Sequence, residues 1–259
     1  MDSATGGEGN AAGLSFDRIA DRYEETRGGV ERGVRYVPTM LPFIDMSRPV
    51  LEVGVGTGAV ASPLAEAGLD VVGLDLSPEM LRVAAGRLDS LVCGDGSRLP
   101  FAPGAFGTVV AVWAVHVIGD TQRLAGEVAR VLSTGGRFLV VSSTPDQDGT
   151  DVTDIAYGLA RDLGRGWDRS AELAEVLRPA GLMWEGDHRL EPWEDSLSPA
   201  AAIEGIEQRI WSMLWDLDQP TWDAVVEPVA ARLRALPEQD RGRPRHQWHV
   251  LSVYRSADG

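Results

Sequence analysis

Val50-Leu51-Glu52-Val53-Gly54-Val55-Gly56-Thr57-Gly58 is the stretch on which the fold turns. It begins apolar, sets three glycines on alternate positions, and runs into Ala59-Val60-Ala61-Ser62-Pro63-Leu64-Ala65, which has helical character. That is the pattern of a strand, a tight turn and a helix start. Glycine serves two ends in such a turn. It accepts backbone angles that a Cβ forbids, and it lets a ligand come close to the main chain. The stretch therefore predicts a shelf at the C-terminal end of a strand, beside a helix N-terminus, where α/β proteins bind nucleotides.

No lysine follows the last glycine, so a phosphate-gripping Walker A loop is excluded. Gly54, Gly56 and Ala59 satisfy the relaxed dinucleotide fingerprint. Two acids refine the reading. Val71-Val72-Gly73-Leu74-Asp75-Leu76 reads as a second strand ending in Asp75, placed to take two ribose hydroxyls. Leu91-Val92-Cys93-Gly94-Asp95-Gly96 reads as a third strand ending in Asp95, placed to reach an adenine amino group. Glu52 adds an acid inside the first strand. A dinucleotide needs donors for its pyrophosphate. A ligand with adenosine, a cationic centre and an amino-acid tail suits these acids better.

The block from Val50 to Gly58, then Asp75, then Gly94-Asp95, resembles the class I S-adenosylmethionine-dependent methyltransferases. Phe106 to Val112 is similar to their fourth strand, and Arg130 to Val141 to their passage from helix to fifth strand. The resemblance runs in order over roughly Phe16 to Thr144. It implies an α/β fold with a doubly wound, seven-stranded, mostly parallel sheet and an antiparallel last strand. It implies S-adenosylmethionine as cofactor, held by Glu52, Gly54, Gly56, Gly58, Asp75, Leu76, Asp95, Gly96 and Trp113. In the family a segment like Phe16 to Arg27 covers the cofactor from outside the sheet, which adds Tyr23 and Arg27. The other reading of that segment is a surface helix of alternating charge.

Working outward, residues 1–13 are Gly, Ala, Ser and acid, the composition of a disordered tail. Residues 14–49 are expected to form N-terminal lid helices, with Val34 to Ile44 as the helix entering the first strand. Residues 50–197 make the cofactor-binding core, 198–243 a helical cap, and 244–259 the final strand of the core sheet. Within the core, Gly68 stops a helix, and Ser77-Pro78 start another as N-cap and first turn. Alternating strands and helices give the parallel sheet.

His116 leaves the fourth strand beside the place that the resemblance gives to the reacting centre. It is either a general base or substrate-orienting group, or a structural histidine at a strand–helix junction. Asp146 and Asp148 invite a metal reading, but no His or third acid is spaced to complete a site, so no metal is expected.

Ile203, Ile206, Ile210, Trp211 and Leu214 recur at helical spacing, and Trp222, Val225, Val226, Val229 and Leu233 repeat the pattern. If the sheet follows the family, this pair of helices joins strand ends at the edge that carries the glycine shelf. Trp193, Trp211 and Trp215 are then candidate acceptor-binding rings, although core packing explains any one of them. Arg245 and His246 open the final strand. Arg245 is a candidate acceptor ligand or a partner of Glu191 or Glu194 across the neighbouring strand. His246 is a candidate donor or base.

The chain has a net charge of −15, and its cations are all arginine. Such a surface argues against nucleic-acid backbone binding, which rests on phosphate neutralisation. One cysteine permits no intrachain disulfide, in keeping with a cytoplasmic protein, and no apolar run is long enough for a membrane span. The expectation is a methyltransferase acting on a small molecule, neutral or cationic and partly apolar, of the secondary-metabolite kind. Two alternatives stand beside it. One is a methyltransferase-like protein that binds the cofactor without methyl transfer, such as a cyclase. The other is an NAD(P)-dependent oxidoreductase.

Overall fold

The computed structural model describes residues 16, 20, 24, 28–147, 149–163 and 170–257. The strands are β1 (Val50–Val53), β2 (Val71–Asp75), β3 (Leu91–Cys93), β4 (Phe106–Val112), β5 (Leu132–Gln147), β6 (Leu182–Arg189), β7 (Trp193–Leu197) and β8 (Arg243–Ser256). The longer helices are α1 (Gly29–Met40), α2 (Ala61–Glu66), α3 (Pro78–Ala84), α4 (Thr121–Val131), α5 (Asp151–Asp162), α6 (Ser170–Leu177), α7 (Pro199–Glu207) and α8 (Glu227–Arg234).

The sheet order is β3-β2-β1-β4-β5-β8-β6. β1 is parallel to β2 and β4, β2 to β3, and β4 to β5. β8 is antiparallel to β6. The expected sheet is therefore present, mostly parallel with an antiparallel last strand. One strand was not foreseen: β7 pairs with the start of β8, Trp193 opposite Gln247 through Leu197 opposite Arg243.

By contacts the chain divides into two compact units. Unit 1 holds residues 1–142, 168–190 and 250–259, and unit 2 holds 143–167 and 191–249. In unit 1 the strands alternate their side chains between two apolar layers, as the two-residue period of a strand requires. Leu51, Val53, Val109, Ala111 and Phe138 join Leu124 of α4 and Leu177 of α6 in one layer. Val50, Val110, Val112 and Leu139 join Tyr36 and Met40 of α1 and Leu64 of α2 in the other. Near-continuous apolar runs such as Phe106–Val112, buried along their whole length, are what a parallel sheet covered on both faces demands. Glu52 shares its face of β1 with Val50, so it projects into the layer under α1 and α2.

One boundary differs from the sequence reading. α1 starts at Gly29, not Val34, because Gly28 takes a left-handed φ of 78° and turns the chain into the helix. β8 starts at Arg243, within one residue of the expected 244, and β7 supplies a pairing partner for its first half.

Unit 2 has its own apolar core. Val152, Ile155 and Leu159 of α5 meet Ala202 and Ile206 of α7, Val226, and Val229 and Leu233 of α8. The continuous helix read through Leu214 is interrupted. α7 ends at Glu207, and Arg209 takes a φ of 51°. The guanidinium of Arg209 then donates to the carbonyls of Leu214, Trp215 and Leu217, which satisfies the loop that replaces the helix.

Candidate functional site

The shelf is built by the register of β1 on β2. Val53 lies opposite Leu74, and the N–H groups of Gly54 and Val55 both donate to the Leu74 carbonyl, at 2.8 and 3.0 Å. Two donors on one acceptor turn the chain sharply. Gly54 has φ 73°, and a Cβ there would stand 2.5 Å from the Ala114 Cβ. No side chain fits. Gly56 has φ 55°, and a Cβ there would meet nothing within 4 Å. Its outer face is open.

Asp75 ties the shelf to the next strand end. Its Oδ2 accepts the Gly56 N–H at 2.8 Å and its Oδ1 accepts the Ser77 N–H at 2.9 Å. The Ser77 hydroxyl accepts the Met80 N–H at 3.1 Å, capping α3 as expected. Asp75 also lines the cleft. Asp95 is exposed, with its Oδ1 accepting the Ser97 N–H at 2.8 Å.

These groups line one cleft. Of the residues singled out from sequence, Gly54, Gly56, Asp75, Leu76, Asp95, Gly96 and Trp113 line it. Gly58 does not. Its φ is 78°, and a Cβ there would press on the Leu88 Cδ1 at 3.2 Å, so it serves the packing of the loop. Glu52 lies behind the shelf at 2 % exposure. Tyr23 and Arg27 fall outside the described residues. The cleft also takes Phe16, Leu74, Met80, Val117 and Ile118, which sequence reasoning missed. Apolar residues just after strands β2 and β4 were the available signal, because parallel strands deliver their C-terminal ends to a common edge.

His116 sits on the turn Val115–Val117 and is exposed. Ala114 and Val117 line the cleft on either side of it; His116 itself does not.

The electrostatics behind the shelf are unusual. Burial pushes the Glu52 carboxyl up to about 8, the positive charge of Arg32 pulls it back, and the negative charge of Asp75 pushes it further up. Glu52 Oε2 has no hydrogen-bond partner. Arg32, itself buried on α1, stacks its guanidinium 4.5 Å above the Trp113 ring, and Tyr36 meets that ring edge-on at 6.4 Å. Trp113 holds a left-handed φ of 51°, a conformation that costs about 1–3 kcal/mol in a non-glycine residue. Nearby, Arg87 donates to Glu24 and, at 3.0 Å, to the Thr57 carbonyl of the glycine loop. The hydrogen bond from Arg87 holds the Glu24 carboxyl below its usual value against the opposing effect of burial.

In unit 2 the candidate acceptor groups are engaged with one another. Arg245 lies opposite Asp195 in the β7–β8 register, and its Nε donates to Asp195 Oδ1 at 2.6 Å while Nη2 donates to Oδ2. Its Nη1 donates to the Tyr157 hydroxyl at 3.3 Å. Gln247 donates to Asp195 Oδ2 at 3.1 Å. The cross-strand partner of Arg245 is thus Asp195, not Glu191 or Glu194, because the register sets Glu194 opposite His246. His246 Nε2 lies 3.1 Å from Glu194 Oε1, and its ring stacks on Trp248. Trp211 packs on the helical core of unit 2, and the Trp215 Nε1 donates to the Arg209 carbonyl at 2.7 Å. The side chain of Trp193 falls outside the described residues.

Among the described residues, no group of three or more His, Cys, Asp or Glu is arranged to hold a metal ion, and no helix is long and apolar enough to cross a membrane.

A methyltransferase-domain family matches residues 51–140, the span from β1 into β5. An uncharacterized methyltransferase of Mycobacterium bovis is 33% identical over 200 residues, covering 76% of each chain. The demethylmenaquinone methyltransferase of Renibacterium salmoninarum is 31% identical over 192 residues, covering 69% of this chain and 79% of that one. Among solved structures, phosphoethanolamine N-methyltransferase 2 of Haemonchus contortus, in complex with phosphomonomethylethanolamine and S-adenosylhomocysteine, aligns with a TM-score of 0.55 at 20% identity. That alignment covers 93% of this chain and 57% of the other, and shows a shared fold.

Proposed function

The chain belongs to the class I S-adenosylmethionine-dependent methyltransferases, and on that premise we propose that it transfers a methyl group from S-adenosylmethionine to a small-molecule acceptor, a secondary metabolite. The observation that carries the reading is the open face of Gly56 beside the Asp75 carboxylate, in one cleft with Asp95. The donor set fits the cofactor. Carboxylates suit hydroxyl and amino donors, a pyrophosphate would be repelled by them, and a Cβ at Gly56 would fill the approach.

In this proposal Asp75 accepts the ribose hydroxyls and Asp95 the adenine amino group. Leu76, Met80, Val117 and Ile118 exclude water from the cleft. When bound, S-adenosylmethionine supplies a methyl group already carried on a good leaving group. The chain's task is then to orient an acceptor in line and keep the site dry, and orientation of this kind supplies about 7–11 kcal/mol in well-aligned intramolecular cases. His116 has no cleft contact, so the reading requires no base from it. The relative from Renibacterium salmoninarum is named for a small-molecule acceptor, and the net charge of −15 disfavours a nucleic-acid one.

Calorimetric titration with S-adenosylmethionine, S-adenosylhomocysteine and NAD tests the cofactor. The first two are expected to bind, and NAD is not. Asp75→Ala removes charge-assisted bonds of about 1.5–3 kcal/mol each, so its Kd is expected to rise roughly 10–100-fold. An unchanged Kd would sink the assignment. Incubation with methyl-labelled cofactor and a metabolite extract should label a small-molecule product. Binding without any labelled product would favour the non-transferring alternative.

A further inference from the structure

Trp113 lines the cleft in a backbone conformation that a bulky side chain rarely takes, with φ at 51° in the left-handed region. Such a conformation persists where the surrounding contacts over-determine it. Contacts on both backbone and ring do so here. The Trp113 N–H donates to the Val141 carbonyl of β5 at 3.0 Å. The next residue, Ala114, crowds the shelf so closely that a Cβ on Gly54 would stand 2.5 Å from the Ala114 Cβ. On the ring itself, the Arg32 guanidinium lies 4.5 Å from the centroid, and Tyr36 meets the ring edge-on at 6.4 Å. Arg32 is buried, and its helix is seated on the segment that follows the shelf. A Cβ at Gly33 would stand 2.2 Å from the Ala59 carbonyl oxygen, so no side chain fits between them. Arg32 thus starts from a fixed place on α1 and ends on the Trp113 ring.

We infer that Arg32 is a positioning residue of the cleft: its guanidinium stacks on Trp113 and holds the ring, and the strained turn that carries it, where a ligand of the cleft meets them. The inference rests on the reading of the cleft as the S-adenosylmethionine site. A guanidinium suits this task because it is planar, weakly hydrated and always charged, so it stacks on an indole face at little cost in lost hydration. Burial strengthens the attraction, since little solvent competes for the cation. Arg32 does not line the cleft itself, so it acts on a ligand only through the ring. Its positive charge also draws down the buried Glu52 carboxyl. The two uses are separable: positioning needs the Trp113 ring, whereas a counter-charge needs Glu52.

The test is a double-mutant cycle read as the calorimetric Kd for S-adenosylhomocysteine, with Arg32→Met and Trp113→Leu made singly and together. Arg32→Met is expected to raise the Kd roughly 10-fold in the wild-type background and by less than about twofold in Trp113→Leu. The same loss should persist in a Glu52→Gln background. With 5-fluorotryptophan in place of tryptophan, the fluorine resonance that disappears in Trp113→Leu should shift or broaden in Arg32→Met before any ligand is added. The inference is overturned by an unchanged Kd in Arg32→Met, by an equal loss in Trp113→Leu, or by a loss that vanishes in Glu52→Gln. If Arg32→Met does not fold, Arg32→Lys takes its place. It keeps the charge but not the planar stack, and its Kd should rise roughly threefold, an increase that disappears in Trp113→Leu. A wild type that binds neither S-adenosylmethionine nor S-adenosylhomocysteine overturns the cofactor reading, whereas a binding wild type with an unaffected Arg32→Met overturns this inference alone.

Discussion

The glycine shelf of unit 1 and the β7–β8 ribbon of unit 2 use the same kinds of side chain in opposite ways. At the ribbon, Asp195 receives two donors from Arg245 and one from Gln247, and Arg245 has a third contact at Tyr157. At the shelf, Asp75 accepts the Gly56 and Ser77 amides and lines the cleft, Gly56 faces open space, and Glu52 Oε2 meets no donor. A carboxylate held by its own guanidinium acts as a fastening, whereas carboxylates that line a cleft face a ligand. The difference also explains why the shelf is a better candidate site than the ribbon, although both contain charged residues at strand ends.

The largest expected effect falls on Glu52. Burial raises its carboxyl to about 8 in the folded chain, above the value of about 4.5 in the unfolded chain, so the folded protein binds more protons between the two values. Stability should be full below pH 4.5 and fall as the pH rises toward 8, by about 5 kcal/mol at most. Urea midpoints measured across this range should decline in the wild type and flatten in Glu52→Gln. A flat wild-type profile would mean that the shelf hides no strained acid.

Next comes the ribbon. Arg245→Met strands Asp195 in a partly buried position and is expected to cost about 1–3 kcal/mol of stability, discounted for the exposure of both side chains. The affinity for S-adenosylhomocysteine should stay within twofold of the wild type. Urea unfolding beside a cofactor titration checks both halves. A raised acceptor KM with unchanged stability would reverse the comparison and return Arg245 to the acceptor site.

The smallest effect is assigned to His116. It is exposed and absent from the cleft wall, so His116→Ala should change turnover by less than twofold, in line with about 0.5 kcal/mol for surface positions. Loss of turnover by roughly 100-fold or more, with cofactor affinity intact, would instead mark it as a base.

Local signals made much of the shelf legible. Glycines on alternate positions, an acid closing each of the next two strands, and Ser77-Pro78 at a helix start are patterns a few residues long, and each residue's role follows from its own backbone position. Leu76, Gly96 and Trp113 were reached only through the family resemblance, and they line the same cleft. Phe16 and Ile118 were missed, because an apolar residue in a loop looks alike whether it packs on a core or lines a cleft. β7 was missed for a related reason: Trp193–Leu197 carries two acids and a serine and becomes a strand through its pairing with β8.

The sequence by itself determined the sheet, the sites of its turns and the chemistry of its strand ends, because strand period, glycine angles and helix caps act within about one turn of chain. Only the tertiary structure decided the burial of Glu52, the engagement of Arg245 and the place of His116 outside the cleft lining. Those outcomes depend on partners distant in sequence. Arg32 reaches Glu52 from another element, Asp195 reaches Arg245 across 50 residues, and burial, which sets the cost of a charge, is a property of the packed layers and not of any one segment.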